Sequence, residues 1–374
     1  MAANVQRDRR RGAVLAMVLI LLVLLTTVVV AFARRAVIDT VIARNRDAVA
    51  QAEALARGGV RLATGLIVYT GEGDAEPPEP GETEAGTEAG DQAGAEQPWA
   101  QVRDYELVTE DGAILRITIK DSGSLLNLNA LAQRTYTDEQ GQSNTLGPDP
   151  GETEEFLVAV FDKIIDEMAI PPGEKLYDPR ELAENLIDYL DEDGSPLGVE
   201  GDSEDEYYQS QDPPYRAANR PLLSVEELGL VEGFDVQLMQ ALRPYVTVFP
   251  LYPAAGHWGI NLNTAPPHVL SLVYYGDLDD KRLADEDTVQ SILNRRSEKP
   301  ICTTGADPED CWSLQDAIPN LGLGEVFPEM ALPSEAKSFT VFSEATVGEI
   351  RRTVVAALDR TDPANPQLLS WRTQ

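Results

Sequence analysis

Histidine and cysteine are almost missing: the 374 residues hold two of each, His257, His268, Cys302 and Cys311. Scattered this way they compose no metal motif and no nucleophile–histidine triad, and no phosphate-binding loop signature occurs. Positive charge is also scarce, with 30 Lys and Arg against 63 Asp and Glu and a formal net charge of -33. A field of that sign repels phosphate backbones and anionic lipid and attracts divalent cations or basic partners, so nucleic acid is not an expected ligand. Carboxylates are too abundant for any pair of them to mark a hydrolase. These absences together point to a non-enzymatic protein. The 43% hydrophobic content still fills a real core. Trp258, Trp312 and Trp371 are expected in core or interface positions rather than as substrate platforms.

Cys302 and Cys311 lie close together in a loop-like stretch. They read as a local disulfide suited to an oxidising compartment, with two neighbouring free thiols as the alternative. The N-terminus is more informative. Residues 1–12 form a basic leader with Arg7, Arg9, Arg10 and Arg11, and the run from Ala13 to Ala33 contains no charge. That run is long enough for one helix to cross the hydrocarbon core, and the arginines before it hold the N-terminus in the cytoplasm.

Three readings fit this pattern. A signal peptide cut after Ala31-Phe32-Ala33 has too long an apolar run, and its product would begin with two arginines. A plain signal anchor is the second. A pilin-type leader, cleaved between Gly12 and Ala13, is the third. The alanine-rich stretch from Arg34 to Tyr69 favours the third, because Val37, Val41, Ala48, Ala52, Leu55, Val60 and Leu62 recur at helical spacing. One helix is therefore expected over 13–69, its membrane part near 13–33, with a kink at Gly58-Gly59.

The segment from Gly71 to Pro98 has no basic and no large aliphatic residue and reads as a disordered, solvated loop within an acidic stretch over 70–100. A hairpin comes next: a strand over Tyr105–Thr109, a turn at Glu110-Asp111-Gly112, and a strand over Ala113–Lys120 with Leu115, Ile117 and Ile119 on one face. Helical periodicity then takes over at Glu152–Met168 and Pro179–Leu190. Ser224 to Glu227 has capping-box spacing, and further helices are expected over Pro267–Tyr274 and Asp285–Arg296. Strand character returns at Phe339–Ser343 and Glu349–Leu358. The order is helix, strands, helical block, strands, an α+β chain with a helical insertion.

With these pieces in order the chain resembles the K-type minor pseudopilins of type II secretion. The resemblance rests on the Arg-Gly leader and apolar helix, Asp188-Tyr189-Leu190-Asp191-Glu192-Asp193, Glu204-Asp205-Glu206-Tyr207-Tyr208, Pro213 to Asn219, Glu226-Glu227-Leu228 and Asn261-Leu262-Asn263-Thr264-Ala265. It implies a pilin-like fold, in which the long membrane helix packs on a small antiparallel sheet and a large helical domain, sterile-alpha-motif-like or helix-hairpin-helix-like, is inserted. The implied division is leader 1–12, helix 13–69, acidic loop 70–100, pilin-like strands 101–150, helical domain 151–330 and pilin-like strands 331–374. Pilin-like proteins usually carry a glutamate at the fifth mature position; here that position is Met17, as the K type implies. The implied partners are the I- and J-type minor pseudopilins, the major pseudopilin and a prepilin peptidase. The implied location is the bacterial inner membrane, single-pass, with most of the chain in the periplasm and a place at the pseudopilus tip.

The densest acidic loop spans 188–206. Hard oxygen ligands at short spacing suit calcium, though the loop lacks the EF-hand pattern. A solvated acidic loop is the alternative, and the resemblance favours calcium. The ligand set this implies is Asp191, Asp193, Glu200, Glu204 and Asp205. The rival reading of the whole chain is an exported helix-hairpin-helix-type DNA-binding or DNA-uptake protein with one membrane helix. It rests on Asn261 to Ala265 and Arg295-Arg296. It lacks the glycine pair such a hairpin needs, and Asp277, Asp279 and Asp280 would repel DNA.

Overall fold

The structure, a computed structural model, describes residues 2–69, 99, 102, 105–137, 141–168, 177–192, 194, 196–197, 204–252, 259–277, 280–302, 311–322, 324–328, 336–362 and 365–374. The acidic segment 71–98 lies outside the described residues. One helix, α1 (Ala2–Tyr69), runs unbroken for 68 residues. Residues 15–47 are exposed throughout, and this is the helix long and apolar enough to cross a membrane.

Beyond that stem α1 buries a stripe of Ala52, Ala56, Gly59, Val60, Ala63 and Ile67, the spacing of one helical face. The expected stripe is thus corrected: Val37, Val41 and Leu62 face outward, and smaller residues make the contact. The helix runs without a break through Gly58-Gly59, where a kink was expected. Gly59 is a point of close approach, where a Cβ would lie 2.1 Å from Ser343 Oγ and 2.9 Å from Leu115 Cδ1.

The stripe lies under a five-stranded antiparallel sheet whose strands keep chain order. They are β1 (Tyr105–Val108), β2 (Ile114–Asp121), β3 (Ser338–Val347), β4 (Ile350–Asp359) and β5 (Gln367–Thr373). Alternation places Leu115, Ile117 and Ile119 of β2 and Phe339, Val341 and Ala345 of β3 on the helix side, fully buried. The periodicity gave no sign of β5, because its residues are mostly exposed. Arg360, just after β4, is buried and donates to Ile67 O (3.1 Å) and Ala336 O (3.0 Å). It thereby satisfies a carbonyl in the last turn of α1, at the negative end of the helix dipole.

The described residues between β2 and β3 form a second body with its own core. This body starts at residue 122, not near 150 as the sequence suggested, since Leu126, Leu128 and Leu131 join its core. Its helices are α2 (Pro150–Glu167), α3 (Pro179–Leu190), α4 (Asp205–Gln209), α5 (Val236–Leu242), α6 (Pro267–Leu270), α7 (Glu286–Glu298) and α8 (Leu314–Ala317). Aspartates open four of them: the side chains of Asp149, Asp178, Asp235 and Asp285 accept first-turn amides, and the first two precede a proline at the first helical position.

Two expectations fail here. Ser224 makes no side-chain cap, because Glu227 instead accepts Leu223 N (2.8 Å) and pairs with Arg220; Val225–Leu230 is a 3-10 turn. The helix expected over Pro267–Tyr274 stops at Leu270, and Tyr274–Gly276 becomes a strand between Arg282–Leu283 and Glu325–Phe327.

Two copies of Asn-Leu-Asn hold the body together. Asn127 Oδ1 accepts Asn129 N, and Asn261 Oδ1 accepts Asn263 N, both at 3.0 Å. The second asparagine of each copy then clasps a distant backbone in both directions. Asn129 exchanges bonds with Leu222 (2.9 and 2.7 Å), and Asn263 with Ile301 (2.9 and 2.9 Å). Each clasped residue comes directly after a proline.

Candidate metal centre

The last turn of α3 carries Asp188, its C-terminal cap is Asp191, and Glu204 precedes α4. One carboxylate oxygen from each of these three lies within 4.8 Å of the others. Asp188 Oδ1 also accepts Leu197 N (2.9 Å), which holds Leu197 at the helix end. Tyr189, Tyr207, Tyr208 and Tyr215 form a ring cluster, with Tyr208 5.2–5.6 Å from each of the others. Burial, with Glu227 adding to it, pushes the Tyr189 hydroxyl up to about 12, and burial raises Tyr208 further still. The Tyr189 and Tyr208 rings therefore stay neutral.

Of the expected ligands, Asp191 and Glu204 come together. Asp205 does not join them; it accepts Ala217 N (3.1 Å) and faces Arg216. Asp193 and Glu200 lie outside the described residues. Asp188 was missing from the expected set, although its i, i+3 relation to Asp191 across a helix end could have signalled it. The donor set is all carboxylate oxygen, partly buried and convergent. It fits calcium, which takes six to eight such oxygens, and it offers nothing to a thiophilic metal.

The other sequence features have clear places. Cys302 and Cys311 are joined, with Cα atoms 5.8 Å apart. Gly12 and Ala13 lie within α1, and Met17 is exposed on it. The Asn261 to Ala265 motif is turned inward. Asn261 Nδ2 and Thr264 Oγ1 donate to Asp121 Oδ2 (2.8 and 2.6 Å), tying the helical body to the end of β2. Arg296 caps the same turn through Leu262 O and Ala265 O, and Arg295 stacks on Trp312. His257 and Trp258 lie outside the described residues. His268 sits beside Tyr245 with Nε2 3.1 Å from Pro244 O.

A membrane-length helix that continues as the spine of an antiparallel sheet, with an acidic helical body between two strands, defines an α+β protein built around a membrane stem. Residues 124–251 match the family described as type II secretion system (T2SS), protein K. A relative from Escherichia coli K12 is 30% identical over 59% of each chain. The type II secretion system protein K of Klebsiella pneumoniae is 32% identical over 47% of each chain, and that of Pseudomonas aeruginosa 27% identical over 67% of this chain and 62% of its own. The matched stretches thus span roughly half to three-fifths of those relatives' length. The fold is similar to a chain in the crystal structure of the GspK-GspI-GspJ complex from the enterotoxigenic Escherichia coli type 2 secretion system. That similarity has a TM-score of 0.57 and 22% identity, and covers 89% of this chain and 99% of the other.

Proposed function

We infer that the chain is a minor pseudopilin of the type II secretion pathway, a non-enzymatic subunit assembling at the pseudopilus tip with I- and J-type minor pseudopilins. The observation that carries this reading is the stem-and-sheet arrangement, α1 under β1–β5, interrupted by a helical body that matches protein K over 124–251. The solved relative in complex with GspI and GspJ supports the choice of partners. In this reading the sheet and α1 form a pilin-like unit, and the inserted body is the sterile-alpha-motif-like domain. The leader is removed between Gly12 and Ala13 by a prepilin peptidase, the stem sits in the inner membrane, and the body lies in the periplasm.

Met17, apolar and exposed on the stem, leaves the fifth mature position without a carboxylate to neutralise the terminal amine of a preceding subunit. The chain is thereby suited to the end of a filament above the major pseudopilin, with the helical body blocking further addition. Calcium bound by Asp188, Asp191 and Glu204 would pin the loop between α3 and α4 to the body.

The test is co-expression of residues 48–374 with the soluble parts of the I- and J-type subunits from the same genome. A ternary complex that survives gel filtration is expected. Elution of this chain alone, with I and J still paired, would reject the assignment.

A further inference from the structure

Arginine is used in two ways along this chain. Every described arginine of the sheet and the helical body holds a carboxylate, a backbone carbonyl or an aromatic ring. On α1 the pattern reverses. Arg57 pairs with Glu53, but Arg34, Arg35, Arg44, Arg46 and Arg61 are exposed and, among the described residues, meet no acceptor.

Height along the helix sorts these free guanidiniums. The uncharged run from Ala13 to Ala33 spans about 30 Å at the helical rise, the thickness of the hydrocarbon core. Arg34 and Arg35 follow it directly. With the run in a bilayer they stand in the headgroup layer, which extends about 5–8 Å beyond the core. Arg44 and Arg46 stand roughly 17 and 20 Å past Ala33, outside that layer.

The acidity of the chain does not cancel this pair. Its negative excess lies in residues 70–374, and α1 first becomes buried against the sheet at Ala52, about 25 Å from Arg35. That distance is about three Debye lengths at physiological salt, so the field of the acidic bodies is screened before it reaches the two guanidiniums. The repulsion of anionic lipid expected from net charge therefore holds for the bodies and not for the foot of the stem.

We propose that Arg34 and Arg35 form a collar that binds the phosphates of anionic phospholipids in the leaflet nearer the sheet. A guanidinium offers a phosphate two parallel N–H donors, and a headgroup without its own ammonium leaves the phosphate charge open to them. Basic side chains at this depth are drawn to anionic lipid. The collar fixes how far the stem sinks, because moving either arginine inward would carry an unpaired charge into hydrocarbon. The proposal rests on the reading of α1 as a membrane stem and adds the lipid class that it meets.

Spin-label electron resonance on the full chain in phosphatidylcholine vesicles tests it, with labelled phosphatidylglycerol or labelled phosphatidylcholine as the probe. The chain should prefer phosphatidylglycerol. Arg34→Gln with Arg35→Gln should lower that association about fivefold or more. Arg44→Gln with Arg46→Gln removes the same charge above the headgroups and should leave it unchanged. The leader arginines give a background common to all variants, and Tm should stay constant in both doubles because all four side chains are unpaired. Equal losses in the two doubles, or no preference for phosphatidylglycerol, would overturn the collar while leaving the membrane stem standing. Absence of any motionally restricted lipid would show that α1 does not enter the bilayer, rejecting stem and collar together.

Discussion

At Gly59 the backbone of α1 comes so close to the sheet that an added Cβ would sit 2.1 Å from Ser343 Oγ, whereas at Gly58 it would meet nothing within 4 Å. Gly59→Ala should therefore cost about 1–3 kcal/mol through overpacking. Gly58→Ala should add about 0.5–1 kcal/mol by favouring helix. Thermal unfolding followed by circular dichroism measures both, and equal effects would mean that the close approach is wrong. Asp121 offers a second test. Burial is the largest influence on it and raises its pKa, with Thr264, Gly123, Asn261 and Arg360 opposing. The folded state therefore holds this proton to higher pH than the unfolded chain, whose carboxyl titrates near 3.9. From this group alone, stability is greatest below about pH 4 and falls as pH rises through the raised pKa. The difference in Tm between the protein and Asp121→Asn should shift in favour of the variant as pH is raised from about 4 to about 7. A pH-independent difference would contradict the buried carboxylate.

Among the elements, the strong periods were legible. The stripe of Phe156, Leu157, Val160, Phe161 and Ile164 is buried, β3 covers the strand expected over 339–343, and β4 covers that expected over 349–358 except for its first residue. What escaped was decided by partners far along the chain. Tyr274 pairs with Phe327 instead of extending α6, and Glu227 is drawn to Arg220 instead of capping. The two Asn-Leu-Asn segments were readable as text, but their role emerges only when Leu222 and Ile301 are found in their grasp. Asn263→Ala leaves the Ile301 amide and carbonyl buried without their partner, and should cost about 2–4 kcal/mol. Asn129→Ala should cost a similar amount through Leu222. Denaturant unfolding of each variant checks this, and a loss below the error of the extrapolation would show the clasp to be dispensable.

On the scale of the whole molecule, charge is divided between stem and bodies. Residues 1–69 carry ten arginines and four acidic side chains, so the chain's negative excess belongs entirely to residues 70–374. In the candidate metal centre the sequence named two of the three carboxylates that converge, Asp191 and Glu204, but not Asp188. Proximity in the chain does not tell which carboxylates converge, and the helix end that brings Asp188 to Asp191 is a feature of the fold. If calcium binds there, adding it at about a hundred times its Kd should stabilise the protein by about 2.7 kcal/mol. The rise in Tm should vanish with chelator and shrink in Glu204→Gln. A Tm unmoved by calcium and chelator alike would reject the site.

The buried stripe of α1 begins only at Ala52, while the apolar run ends at Ala33. Some eighteen residues of bare helix separate them, roughly 27 Å at the helical rise. With the apolar run in a bilayer, the sheet and its helical body would be carried clear of the membrane surface on a stilt. The space beneath is wide enough for other helices to stand alongside it at the usual spacing of about 8–10 Å. A cut in that stilt would free both bodies into solution with every helix residue that touches the sheet still attached.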